Sequence, residues 1–114
     1  LENNGGFSSV RYRFSTQKVE AFSTIQLRLR GDGKRYQFRV KSDQADRHSY
    51  VYHFQTTEDW QVVEIPLAAM EPRFRGRALN LPNYPGKVME EIAILISNKR
   101  EEAFRLEIDE ISLH

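Results

Sequence analysis

Cysteine is absent from the 114 residues. Disulfides, thiolate zinc sites and cysteine nucleophiles are therefore excluded. The absence fits a reducing compartment without requiring one, because a domain of this size manages without bridges. Charge of one sign is also lacking: 17 Lys and Arg stand against 16 Asp and Glu, a net +1. Such a chain has no global field to draw it to nucleic acid or an anionic membrane, so any basic patch must be local. No apolar run approaches the roughly 20 residues that a membrane-spanning helix needs. No signal-peptide pattern is visible. Histidine is scarce, with only His48, His53 and His114, and no serine sits in a recognisable nucleophile turn.

What the chain does have is a period of two. Val10, Tyr12 and Phe14 alternate with Ser9, Arg11 and Arg13; Ile25, Leu27 and Leu29 alternate with Gln26, Arg28 and Arg30. Tyr36, Phe38 and Val40 oppose Gln37, Arg39 and Lys41, and Tyr50, Tyr52 and Phe54 oppose Val51, His53 and Gln55. Strict alternation is the mark of half-buried antiparallel strands. Trp60–Ile65 reads as a fifth strand ended by Pro66, and Glu91–Ser97 and Phe104–Leu113 as two more. The run Ile92–Ile96 is apolar throughout, as expected of a central strand buried on both faces. Val88, Ile92 and Leu95 also fit helical spacing; the β-branched content and short length favour a strand.

Gly31-Asp32-Gly33 between two alternating runs predicts a tight hairpin, since Asp-Gly tolerates positive φ. A second hairpin is expected over Ser97–Ala103. The stretch from Pro66 to Lys87 carries four prolines and no sustained period, and reads as a long structured loop of the kind that often carries function. The whole, residues 1–114, is expected to be one all-β domain, an antiparallel sandwich or jelly roll.

A screen for chemistry returns little. Glu107 and Asp109 share a strand face roughly 7 Å apart, a distance compatible with glycosidic acid/base work. The alternatives are an acidic rim opposing the Arg-rich strands or, less favoured, a calcium site at the sandwich edge. Gly31-Asp32-Gly33 lacks the lysine and helix of a phosphate loop, and Arg30-Gly31-Asp32 is better explained by a turn than by adhesion. No catalytic residue, metal ligand or cofactor site is assigned. The informative feature is polar. If the first four strands are sheet neighbours, one face carries Arg11, Arg13, Arg28, Arg30, Arg39, Lys41 and His53 with Gln26, Gln37 and Gln55, almost without acid. Guanidinium forks suit carboxylates, phosphates or sugar hydroxyls. In the long loop, Arg73, Arg75 and Arg77 flank Phe74, which is either an exposed interface anchor or a plug at the sandwich end.

Several stretches together, LENNGGFSSVR, LRLRGDGKRYQFRV, WQVVEIPL, PRFRGRAL and FRLEIDEISL, resemble the complex I intermediate-associated protein family over nearly the whole chain. The resemblance implies a galactose-binding-type jelly roll without catalysis, and a founding role in chaperoning assembly of the respiratory NADH:ubiquinone oxidoreductase. It further implies a protein partner drawn from respiratory-complex subunits or intermediates, and an intracellular setting: the bacterial cytoplasm, or the mitochondrion in a eukaryote. Relatives carry a segment with an Asp and a Met-Gly-Gly motif ahead of the ENNGGF stretch. The chain starts at Leu1 and is expected to lack that first strand. A monomer is expected, and no membrane insertion. The alternative to a protein partner is a carbohydrate held on the polar sheet face. Against it, Tyr12, Tyr36, Tyr50 and Tyr52 all fall in the inward register, leaving Trp60 and Tyr84 as the candidate exposed rings.

Overall fold

The computed structural model describes residues 2–4, 9–75, 77–96 and 105–114. Among these residues ten strands form two facing antiparallel sheets: β1 (Glu2–Asn4), β2 (Ser9–Lys18), β3 (Thr24–Arg30), β4 (Arg35–Lys41), β5 (Ser49–Gln55), β6 (Gln61–Pro66), β7 (Glu71–Phe74), β8 (Arg77–Ala78), β9 (Val88–Ile96) and β10 (Arg105–Leu113). The smaller sheet runs β1-β10-β3-β6, and the larger runs β2-β9-β4-β5-β7-β8. The jelly-roll expectation is borne out.

The alternation read from the sequence builds the core. Ile25, Leu27 and Leu29 from the small sheet meet Tyr36, Phe38, Val40, Ile94 and Ile96 from the large one, all buried. Each fully buried side chain of this size contributes about 1.5–3 kcal/mol. The central strand β9 is buried on both faces, as its apolar run predicted: Ile94 and Ile96 point into the core, while Ala93 is buried outside the core cluster. The helical alternative for 88–95 is thereby set aside. Tyr12 keeps the inward register of its partner Ile92 but is 36% exposed, because β2 is an edge strand of its sheet.

Three expectations fail: the hairpin at Gly31-Asp32-Gly33, the single basic face it implied, and the exposure of Tyr84. The Gly31-Asp32-Gly33 turn does not close a hairpin: β3 pairs with β10 and β6, whereas β4 pairs with β5 and β9. The turn carries the chain from one sheet to the other. Alternation cannot separate the two cases, since a hairpin and an inter-sheet crossing both bury Leu27 and Phe38. What holds the crossing is local. Asp32 Oδ1 accepts from Lys34 N at 3.2 Å and from the Tyr36 hydroxyl at 2.9 Å, while Oδ2 accepts from Arg105 N at 2.9 Å. Gly31 packs against Thr56 so closely that an added Cβ would lie 2.4 Å from the threonine Cβ, and Gly33 takes φ +84°. The polar faces of β3 and β4 therefore point in opposite directions, so Arg28 and Arg30 do not share a face with Arg39 and Lys41.

The proline-rich stretch is more ordered than a loop. It holds a 3-10 turn at Leu67–Ala69 and the small β7–β8 hairpin, with β7 extending the large sheet beyond β5. Tyr84, expected to be exposed, is buried in this segment; its hydroxyl donates to Val88 O at 2.5 Å and its ring tilts against Tyr50 at 5.0 Å. The hairpin expected at Ser97–Ala103 lies outside the described residues.

Candidate functional site

The outer face of the large sheet gathers most of the predicted basic residues. Cross-strand registration places Arg11, Ala93, Arg39, Val51 and Glu71 in one row, and Arg13, Glu91 and Lys41 in the next. Gln37 and His53 form a third pair, and Arg73 faces Ser49 at the far side. Arg73, which the sequence placed in a separate loop cluster, thus joins the sheet face.

This face looks outward yet buries several residues. Glu91 is 3% exposed and Ala93 2%. Arg11 and Arg13 from the flanking strand reach over Glu91, as long charged side chains do. Glu91 Oε1 accepts from Arg13 Nε at 2.8 Å, and its Oε2 stands 3.7 Å from Arg11 Nε. Lys41 Nζ turns aside to donate to Asp46 O at 2.7 Å, and Arg73 meets Glu71 at 3.3 Å. Arg39 differs from the others: its Nε donates to the neutral Gln37 Oε1 at 3.0 Å, and among the described residues no carboxylate pairs with it. Burial first, and then the nearby Arg11 charge, lower its pKa. Burial also lowers the His53 pKa, followed by Arg35, Arg73 and Arg39, with Glu71 opposing them. The face is a cationic patch whose own acids are already engaged.

The outer face of the small sheet has the opposite character. Arg28 Nε meets Asp109 Oδ2 at 3.0 Å and Arg30 Nη2 meets Glu107 Oε2 at 2.7 Å. The acidic-rim reading of Glu107 and Asp109 accounts for them. Trp60, 41% exposed, stacks beside both arginines, with ring centroids 5.3 and 5.1 Å from their guanidinium carbons. Sequence reasoning missed this arrangement because it put β3 beside β4. The register of β10 against β3 supplies the acids that neutralise Arg28 and Arg30. Beyond Glu110, Ser112 near the end of the same strand and His114 just past it share a 2.9 Å hydrogen bond. It is exposed, and no described side chain is seen to orient the imidazole as a nucleophile's base requires.

The loop arginines separate. Arg75, at φ +51°, lies over the half-buried Phe74 ring at 5.3 Å, and Arg75 and Arg77 are exposed, whereas Arg73 is half-buried and paired with Glu71. Among the described residues no group of three or more His, Asp and Glu side chains is arranged to hold a metal ion.

Comparison with solved structures fits this architecture. A family 11 carbohydrate-binding module from Clostridium thermocellum, in complex with a β-1,3-1,4-mixed-linked tetrasaccharide, superposes with a TM-score of 0.69 at 17% identity, over 98% of this chain and 73% of that one. The family 11 module of the cellulosomal cellulase Lic26A-Cel5E from Clostridium thermocellum gives 0.70 at 17% identity, over 98% and 72%. At that identity the likeness is one of fold. The sequence match is to the model of Complex I intermediate-associated protein 30 (CIA30), over residues 1–108. The chain belongs to that family.

Proposed function

We propose that this domain is a non-catalytic protein-binding module serving the assembly of respiratory complex I, and that it docks an acidic surface of its partner on the outer face of its large sheet. Family membership supports the assembly role. The observation that carries the docking surface is Arg39, half-buried among Arg11, His53 and Arg73 without a carboxylate of its own among the described residues. Like charges held together on one face repel one another and are relieved when an anionic partner arrives, which gives orientation and on-rate. The fold's likeness to carbohydrate-binding modules does not favour a sugar on this face. Tyr36, Tyr50 and Tyr52 point inward, and Trp60 stands on the other sheet beside Arg28 and Arg30. The domain acts as a monomer in this reading. Capture from the native host with the full-length protein, read by mass spectrometry, tests it. Enrichment of NADH:ubiquinone oxidoreductase subunits, lost in an R11Q/R39Q variant, is expected. Equal recovery with the variant overturns the surface, and absence of those subunits overturns the role.

A further inference from the structure

The docking face has a focal point. Ala93 sits on the central strand with Arg11 directly opposite on one side and Arg39 on the other. Two strand spacings separate the arginine backbones by about 10 Å, well within the combined reach of two arginine side chains. Between them the floor is only a methyl group, itself nearly sealed. Arg11 is close enough to bear on the Arg39 charge. Glu91, the acid nearest this row, is already taken by Arg13 with Arg11 at its second oxygen. Gln37 fixes Arg39 through Nε, and among the described residues no partner holds the terminal nitrogens of its fork.

Resting on the docking reading and sharpening it, we infer that Arg11 and Arg39 form an oxyanion-binding subsite over Ala93, which grips one carboxylate or phosphoryl group of the incoming ligand. A guanidinium presents paired donors that match such an oxyanion bidentately. Two forks flanking one small floor residue can share the acceptor oxygens of the bound group, and its charge removes the repulsion between them. Ala93 is the specificity-determining residue, because a longer side chain there would push apart the arginines that flank it.

The test is an NMR titration of the whole domain at constant ionic strength, following the Ala93 methyl and the arginine Nε–Hε signals. The probes are inorganic phosphate, hexaglutamate and a peptide bearing one phosphoserine. Phosphate should shift Arg11, Arg39 and Ala93 along one saturating curve and leave Arg35 and Arg77 in place. Ala93→Met should weaken this at least tenfold. Arg39→Lys, which keeps the charge but loses the fork, should also weaken it, and it decides the matter if Ala93→Met fails to fold. The tighter of the two peptides identifies the source of the oxyanion, and either one saturating the same signals supports the subsite. Uniform shifts across all arginines, or wild-type phosphate affinity in both variants, overturn it. Binding of the tighter peptide unchanged in Ala93→Met overturns the subsite while leaving the docking face standing; neither peptide binding the wild type removes the docking face itself.

Discussion

Asp32 accepts the Tyr36 hydroxyl at 2.9 Å across the turn that takes the chain from one sheet to the other. The same carboxylate holds the backbone N–H groups of Lys34 and Arg105, so one side chain ties β3's exit, β4's entry and the start of β10. Asp32→Ala should destabilise the domain by about 1–3 kcal/mol, the cost of leaving such partners without their acceptor. Asp32→Asn should recover part of the loss. Urea unfolding of the three proteins checks this, and an unchanged midpoint in Asp32→Ala would remove the turn from the account.

Gly31 makes a companion case. The Thr56 side chain occupies the space a Cβ would need, and Thr56 is held there by donating to Lys34 O at 2.7 Å. Gly31→Ala should cost about 1–3 kcal/mol as an overpacking change. Pairing it with Thr56→Ser, which removes the clashing Cγ2 methyl, should return some of that stability in a double-mutant cycle.

The core predictions follow from burial on both sides of the crossing. Leu27 and Phe38 are fully buried in opposite sheets. Truncating either to Ala should cost about 2–5 kcal/mol, measured by denaturant midpoint. A loss below about 1 kcal/mol at either site would contradict the core as drawn.

His53 gives a pH signature. Its pKa is depressed below the ordinary value by burial and by three arginines, so the unfolded state binds more protons in the window between the two values. Stability therefore rises with pH there. The contribution is present above the ordinary histidine value of about 6.5 and is lost as pH falls through the lowered folded value. An anion seated among the arginines screens their charge and raises the His53 pKa, so binding takes up protons and tightens on acidification. NMR titration of the His53 ring with and without hexaglutamate reads this directly. No upward movement of its midpoint on binding would place the anion elsewhere.

Much of the fold was legible because burial dictates residue choice: Ile25, Leu27 and Leu29 against Gln26, Arg28 and Arg30 can be read as an inside and an outside without any structure. What alternation cannot express is which strands are neighbours. β3 and β4 lie adjacent in sequence with matching patterns, yet their hydrogen-bonding partners are fifty or more residues apart for β10 against β3 and for β9 against β4. That long-range pairing splits the expected basic face in two. It gives Arg28 and Arg30 to Asp109 and Glu107, and it brings Glu91 and Ala93 between Arg11, Arg13, Arg39 and Lys41. Arg73 was misread for the same reason, since nothing local says that a proline-containing tetrapeptide will extend the sheet beside β5. Tyr84 was misread because its own hydroxyl bond to Val88, four residues on, folds it inward.

The measurement closest to the central claim separates the two outer faces. Neutralising Arg11 and Arg39 to Gln, and separately Arg28 and Arg30 to Gln, removes the same formal charge from opposite sheets. Binding of each protein to hexaglutamate is then followed by calorimetry across a salt series. The account predicts that R11Q/R39Q loses at least tenfold in affinity and flattens the salt dependence, since exposed charges are screened over about 8–10 Å near physiological ionic strength. R28Q/R30Q should bind as the wild type does, because its arginines are already neutralised by Asp109 and Glu107. Equal losses in both variants, or binding by the wild type that does not change with salt, would contradict it.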